Sequence, residues 1–226
     1  LCYHRRENDG DRRMQSTVPN QPTPEAFYMF VSDMESARPP CGVRFNNLRE
    51  LLSPSRVILR PEAGGFPSLL EQPQMTYDPS GGPEPRDLEP GFGGYWLVSE
   101  RLHDIMCSCD PGAFAFIEVD YRLIDGSKGP RHFLCDVIRE LDALDEEASR
   151  LRIKVDDDYV RGKFYSLGGG ASLAFRHDVL GKSHVFRLPF NPSVFCDHDF
   201  KSEVHAAGIS DKAEVSGISF IDASDI

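Results

Sequence analysis

Between residues 61 and 94 the chain carries Gly64-Gly65, Pro67, Pro73, Pro79, Gly81-Gly82, Pro83, Pro85, Pro90 and Gly93-Gly94. Proline fixes φ and removes a backbone donor, and glycine loses the most freedom on ordering, so no long helix or strand can run through this stretch. It reads as a bridge or a lengthy surface loop. The chain accordingly divides into a polar lead (1–25), an N-terminal portion that includes the bridge (26–93), and a regularly patterned portion (94–226). The lead holds Pro19, Pro22 and Pro24 and is expected to be extended or disordered, with Met14 a candidate start. Ala26-Phe27-Tyr28-Met29-Phe30-Val31 is a continuous apolar run that fits a buried strand. Val43 and Phe45 predict a second short strand, and Leu48, Leu51 and Leu52 a helical turn before Pro54.

Beyond the bridge, Ser99 is suited to cap a helix in which Leu102, Ile105 and Met106 share one face, and Pro111-Gly112 ends it. Trp96, the only tryptophan, reads as a core anchor packed under that helix, the alternative being a partner contact. Phe114, Phe116, Ile117, Val119 and Tyr121 predict one strand, and Asp125-Gly126-Ser127-Lys128-Gly129 a hairpin loop. The partner strand is His132-Phe133-Leu134-Cys135-Asp136-Val137-Ile138. Ile153 with Val155, Leu173 with Phe175, Val185-Phe186-Arg187-Leu188 and Gly217-Ile218-Ser219-Phe220-Ile221 add further strands. Asp197 or Asp199 caps a second helix with Phe200, Val204 and Ala207 on one face and Gly208 as terminator. Strand pairs with a few short helices among them place the chain in the α+β class, with a mostly antiparallel sheet.

Charge narrows the partners. Against 25 lysines and arginines stand 36 aspartates and glutamates, a formal net charge of −11. That balance opposes nucleic acid and anionic membrane, which both require concentrated basic side chains, and favours a basic partner or plain solubility. No stretch reaches the roughly eighteen apolar residues that a spanning helix needs, and no secretory h-region opens the chain. The six cysteines (Cys2, Cys41, Cys107, Cys109, Cys135 and Cys196) follow no disulfide spacing, which fits free thiols in a reduced cytoplasm.

Catalytic patterns are thin. No G-x-S-x-G elbow, H-E-x-x-H helix or phosphate-binding loop is present, and Gly168-Gly169-Gly170 reads as a flexible connection. Cys107-Ser108-Cys109 and Cys196-Asp197-His198-Asp199 offer metal-ligand types, but a structural zinc site usually shows two C-x(2–4)-C pairs, so no metal and no cofactor is expected. Two acidic clusters are the candidate contact residues: Asp142, Asp145, Glu146 and Glu147, then Asp156, Asp157 and Asp158. Both flank one strand-like run, and each reads otherwise as a solvated turn. A small hydrolase or transferase without a recognisable motif, or a generic interaction module, are the other classes that fit.

Gly94-Tyr95-Trp96-Leu97-Val98-Ser99-Glu100-Arg101-Leu102-His103-Asp104-Ile105-Met106 and the turn Leu141-Asp142-Ala143-Leu144-Asp145-Glu146-Glu147-Ala148-Ser149 resemble the immunity proteins of bacterial polymorphic-toxin systems. The group they are most similar to is immunity family eleven. Val194-Phe195-Cys196-Asp197-His198-Asp199-Phe200, then Gly208-Ile209 and Gly217-Ile218-Ser219-Phe220, match the closing pattern of that group. The stretch from Ser210 to Ser216 departs from it. The resemblance implies a non-enzymatic cytoplasmic protein that binds and silences a cognate toxin, by plugging its active site or clamping an exosite.

Overall fold

The computed structural model describes residues 26–33, 40–52 and 58–226. The lead of residues 1–25, with Met14 and Cys2, and the stop at Pro54 lie outside them. In chain order the elements are β1 Phe27–Ser32, β2 Val43–Phe45, α1 Leu48–Leu51, β3 Gln74–Tyr77, β4 Leu88–Phe92, β5 Tyr95–Ser99 and α2 Glu100–Cys109. There follow β6 Phe114–Glu118, β7 Asp120–Leu123, β8 His132–Val137, β9 Arg152–Val155 and β10 Lys163–Ser166. The chain closes with α3 His177–Leu180, β11 Val185–Leu188, β12 Asn191–Asp197, α4 His198–Ala206, α5 Ala213–Ser216 and β13 Ile218–Asp222. The class is α+β, as expected.

The strands form four sheets in the orders β11-β12-β1-β13, β4-β5-β8-β6, β2-β3-β7 and β9-β10. Among the described strands β3 and β7 pair in parallel and the other pairs are antiparallel. Successive residues of a strand point to opposite faces, and here both faces of the two larger sheets are covered. Thus Phe30 of β1 packs with Val98, Leu102 and Phe200 on one side, while Phe27 packs with Phe175 and Phe186 on the other. β5 divides likewise, Val98 joining the first cluster and Tyr95 and Leu97 a third beneath β3 and β7. β8 is buried along its whole length for the same reason. Continuous apolar runs rather than alternation are the consequence.

Several expectations hold in detail. The amide of Leu102 donates to Ser99 Oγ (3.4 Å), and Leu102 and Met106 are buried while Ile105 is half-buried. Asp197 caps α4 by accepting from the Phe200 amide (2.9 Å). Ala207 does not join the buried face of α4. The chain leaves the helix there through Gly208 at φ +75°, and Ile209 tucks in instead.

The predicted strand from Phe114 to Tyr121 is two. Phe114 and Phe116 face the central cluster, whereas Val119 and Tyr121 face the third, so the chain changes sheets at Val119. β8 therefore pairs with β6 and not with β7, whose turn closes on itself through Leu123 N–H to Ser127 O (2.9 Å). Leu173 and Phe175 form no strand; the segment makes only single bridges, to Arg150 and Leu144. α3 follows it, and β10 and the seven-residue β12 join the strands read from the sequence.

The proline- and glycine-rich stretch carries the short strands β3 and β4. Met75 of β3 is fully buried. β4 is an edge strand whose register shifts between Glu89 and Phe92, where Pro90 and Gly91 sit, so the missing proline N–H interrupts no central ladder. The divergent stretch after Ser210 holds α5, which ends at Gly217 with φ +79°. A Cβ there would meet the Leu88 carbonyl oxygen at 1.8 Å.

Candidate functional site

β9 and β10 form a hairpin of their own, with Val155 opposite Lys163 and Arg152 opposite Ser166. Its far end is shaped by backbone bonds: Asp156 N–H to Gly162 O (3.2 Å), Tyr159 N–H to Asp156 O (3.1 Å) and Gly162 N–H to Tyr159 O (2.8 Å). Asp156 Oδ1 also accepts from the Asp158 amide (3.1 Å). Asp156, Asp157 and Asp158 are all exposed. Beside them Val155 is 78% and Val160 100% exposed, while Tyr159 stacks on Phe164 at 5.6 Å. The tip thus presents three carboxylates and two apolar side chains on a loop whose backbone is held. Val155 and Val160 are exposed apolar side chains that the sequence reading did not single out, and for Val155 the reason is that an alternating Ile153-Val155 pair normally signals a buried face.

The other acidic cluster is held differently. Asp145 Oδ1 accepts from the amides of Glu147 (3.1 Å) and Ala148 (3.0 Å), so it builds the turn. Glu146 lies along β10 and accepts from Lys163 Nζ (2.5 Å) and Tyr165 Oη (2.6 Å). The Lys163 hydrogen bond, then that of Tyr165, lowers the Glu146 carboxyl below its ordinary range. Burial, then Glu146, pushes the Tyr165 phenol up. Asp142 and Glu147 are exposed, and the Asp142 carbonyl accepts from Arg176. Of the seven candidate acids, Asp145 and Asp156 therefore shape their own turns and Glu146 is held along β10, while all three aspartates of the hairpin tip remain exposed.

Concavities lie elsewhere among the described residues, and two of them bear on the site. One, of about 740 Å³, opens between β1, β5 and β12 and is lined by Phe30, Trp96, Arg187 and Val194. Trp96 packs against the cluster that holds Leu102 and Met106, but from β5 and only partly buried, its ring edge-on to Phe30 at 5.4 Å. The other, of about 560 Å³, is lined by Ser108, Cys109, His184, Asp199, Ser202 and Glu203. There His184 Nδ1 and Asp197 Oδ2 are 2.6 Å apart. Burial, followed by the charges of Asp197 and Asp110, pushes the Cys109 thiol up to about 11.

No described helix is long and apolar enough to cross a membrane. No curated protein matches the sequence. A family model described as Immunity protein family (Imm11) matches residues 26–225, reaching well upstream of the Trp96 segment that carries the sequence resemblance. The chain belongs to the Imm11 immunity protein family.

Proposed function

We propose that this immunity protein neutralises one cognate toxin by stoichiometric binding in the bacterial cytoplasm, and that the β9–β10 hairpin tip is part of the contact. It acts by occupancy and not by catalysis, within the interbacterial competition that polymorphic toxins serve. The observation that carries the reading is the hairpin tip itself. Asp156, Asp157 and Asp158 stand exposed beside the exposed side chains of Val155 and Val160. Clustered carboxylates on a chain of net charge −11 steer a basic partner toward that end and raise the encounter rate. The valines act after encounter, since burying such a side chain stabilises a complex by roughly 1.5–3 kcal/mol. A toxin with a basic groove is the partner this chemistry fits. Asp142 and Glu147, exposed on the neighbouring turn, extend the same acidic surface.

The test is association kinetics with the product of the adjacent toxin gene, after co-purification. Replacing Asp156, Asp157 and Asp158 by Asn is expected to slow association at low salt and flatten its ionic-strength dependence. The charges act over a Debye length of about 8 Å at physiological salt, so the difference fades as salt rises. Val160→Ser is expected to speed dissociation with little change in association. Rates that coincide with wild type for both variants at every ionic strength remove the hairpin from the contact.

A further inference from the structure

The geometry points to a binding site for a divalent transition-metal ion where the end of α2 meets the first turns of α4, with His184, Asp199, Glu203 and Cys109 as its donors. The sequence expectation against a metal rested on spacing within the chain, and the fold brings together what that spacing keeps apart. Cys109 comes from the last position of α2, His184 from the residue before β11, and Asp199 and Glu203 from α4. All four line the same cavity, and no lysine or arginine lines it with them.

Asp197 supplies the support such a site needs. Its carboxylate is buried, with one oxygen accepting from the Phe200 amide (2.9 Å) and the other 2.6 Å from His184 Nδ1. A carboxylate on Nδ1 fixes the proton there and leaves Nε2 as the free lone pair of the neutral ring, the arrangement that orients metal-bound histidines. Donor atoms of His184, Asp197 and Asp199 lie within 4.8 Å of one another. Asp197 is the support within that group, so His184 and Asp199 are the converging pair, and Glu203 and Cys109 would complete the set from the wall of the same cavity. Asp199 and Glu203 are four residues apart and so share a face of α4, away from buried Phe200 and Val204.

Capping accounts for Asp197, and a first-turn acid suits the positive end of α4, which explains Asp199. Neither accounts for an imidazole and a thiol on the same cavity. Nitrogen, sulfur and carboxylate donors together select zinc or a zinc-like ion over magnesium or calcium. α2 extends from β5 and α4 from β12, so a bound ion would clip the two larger sheets together.

The experiment titrates Co²⁺ alone into the reduced, chelator-treated full chain and reads visible and near-ultraviolet absorption with calorimetry. Expected is one equivalent bound with a thiolate charge-transfer band. Cys109→Ser removes the band and Cys107→Ser leaves it. The pair Asp199→Asn and Glu203→Gln, or His184→Gln, weakens binding at least about tenfold. Glu203 is exposed, so Glu203→Gln alone tests the site should the pair perturb folding, which circular dichroism checks. Absence of binding, or binding of equal affinity in wild type and in the His184 and carboxylate variants, overturns the proposal.

Discussion

Asp136 holds the proline- and glycine-rich stretch to the rest of the molecule, and its conversion to asparagine tests how. The carboxylate is 1% exposed. Oδ1 accepts from Arg60 Nε at 2.9 Å with Arg187 Nη2 at 3.5 Å, and Oδ2 accepts from the Gly65 amide at 2.7 Å. Asparagine keeps the shape, but its amide group must face either the Arg60 or the Gly65 donor, so one charge-assisted bond worth about 1.5–3 kcal/mol is lost. Arg187 then remains largely buried without its counter-charge, although it still donates to the Val137 (3.0 Å) and Pro192 (2.7 Å) carbonyls. Breaking a buried pair from one side costs about 3–5 kcal/mol, and Arg60 is a quarter exposed and can rehydrate, which puts Asp136→Asn near the lower end, at about 3 kcal/mol. For a chain of this size the melting temperature should fall by about 6–12 °C. Thermal and urea unfolding followed by circular dichroism measure the global loss. Hydrogen exchange at Gly65 measures the local one and should accelerate more than exchange in β8. A loss below about 1 kcal/mol with Gly65 exchange unchanged would refute the argument. The loop would then be held by Tyr95, which donates to the Gly65 carbonyl (2.9 Å) and stacks on Phe66 (4.3 Å).

Core packing and thiol burial set the remaining outcomes. Phe30 is nearly fully buried, with Phe220 stacked at 5.4 Å and Trp96 and Phe200 edge-on at 5.4 and 5.5 Å, so Phe30→Ala should cost about 4–5 kcal/mol. Trp96→Ala, at the rim of the cleft, should cost less than about 3 kcal/mol, and urea unfolding in the reverse order contradicts this placement. Cys135 and Cys196 are buried, and burial raises both thiols well above the ordinary value, so neither should react with a thiol reagent at neutral pH until the protein unfolds. Burial, then the nearby carboxylates, raises the Cys109 thiol as well, so in the ion-free native protein it should react slowly. Denaturation without reductant should expose six thiols, and a shortfall of two means a disulfide.

Elements defined by local chemistry were legible from residues alone. Ser99 and Asp197 are caps because a short polar side chain there can reach a free helical amide, and both are followed by apolar residues at helical spacing. Pairing was less legible. From Phe114 to Ile117 every residue is apolar, and after Glu118 the apolar residues are Val119 and Tyr121, so the packed positions change from the even Phe114 and Phe116 to the odd Val119 and Tyr121. That change of parity is the trace of a strand leaving one sheet for another, and it can be read as a signal. Nothing comparable marks the start of β12. Asn191 and Pro192 open it like a turn, yet it pairs from Asn191 onward with β11 next to it in the chain and, on its other edge, with β1 more than 160 residues away in sequence.

The acidic clusters show why composition locates charge but not its use. Asp145 and Glu146 sit in a run of acids that looks solvated, but the turn amides and the Lys163–Tyr165 pair on β10 take up both side chains. Asp156, Asp157 and Asp158 look the same in sequence, and there the hairpin turns the carboxylates outward together with Val160. What separates the clusters is a lysine seventeen residues downstream of Glu146, placed by the β9–β10 register. An ion-paired carboxylate such as Glu146 adds little to the field, whereas a carboxylate that only accepts from amides keeps its full charge. The long-range field that a basic partner would meet therefore comes from a subset of the acids, and that subset is chosen by strand pairing and not by local sequence.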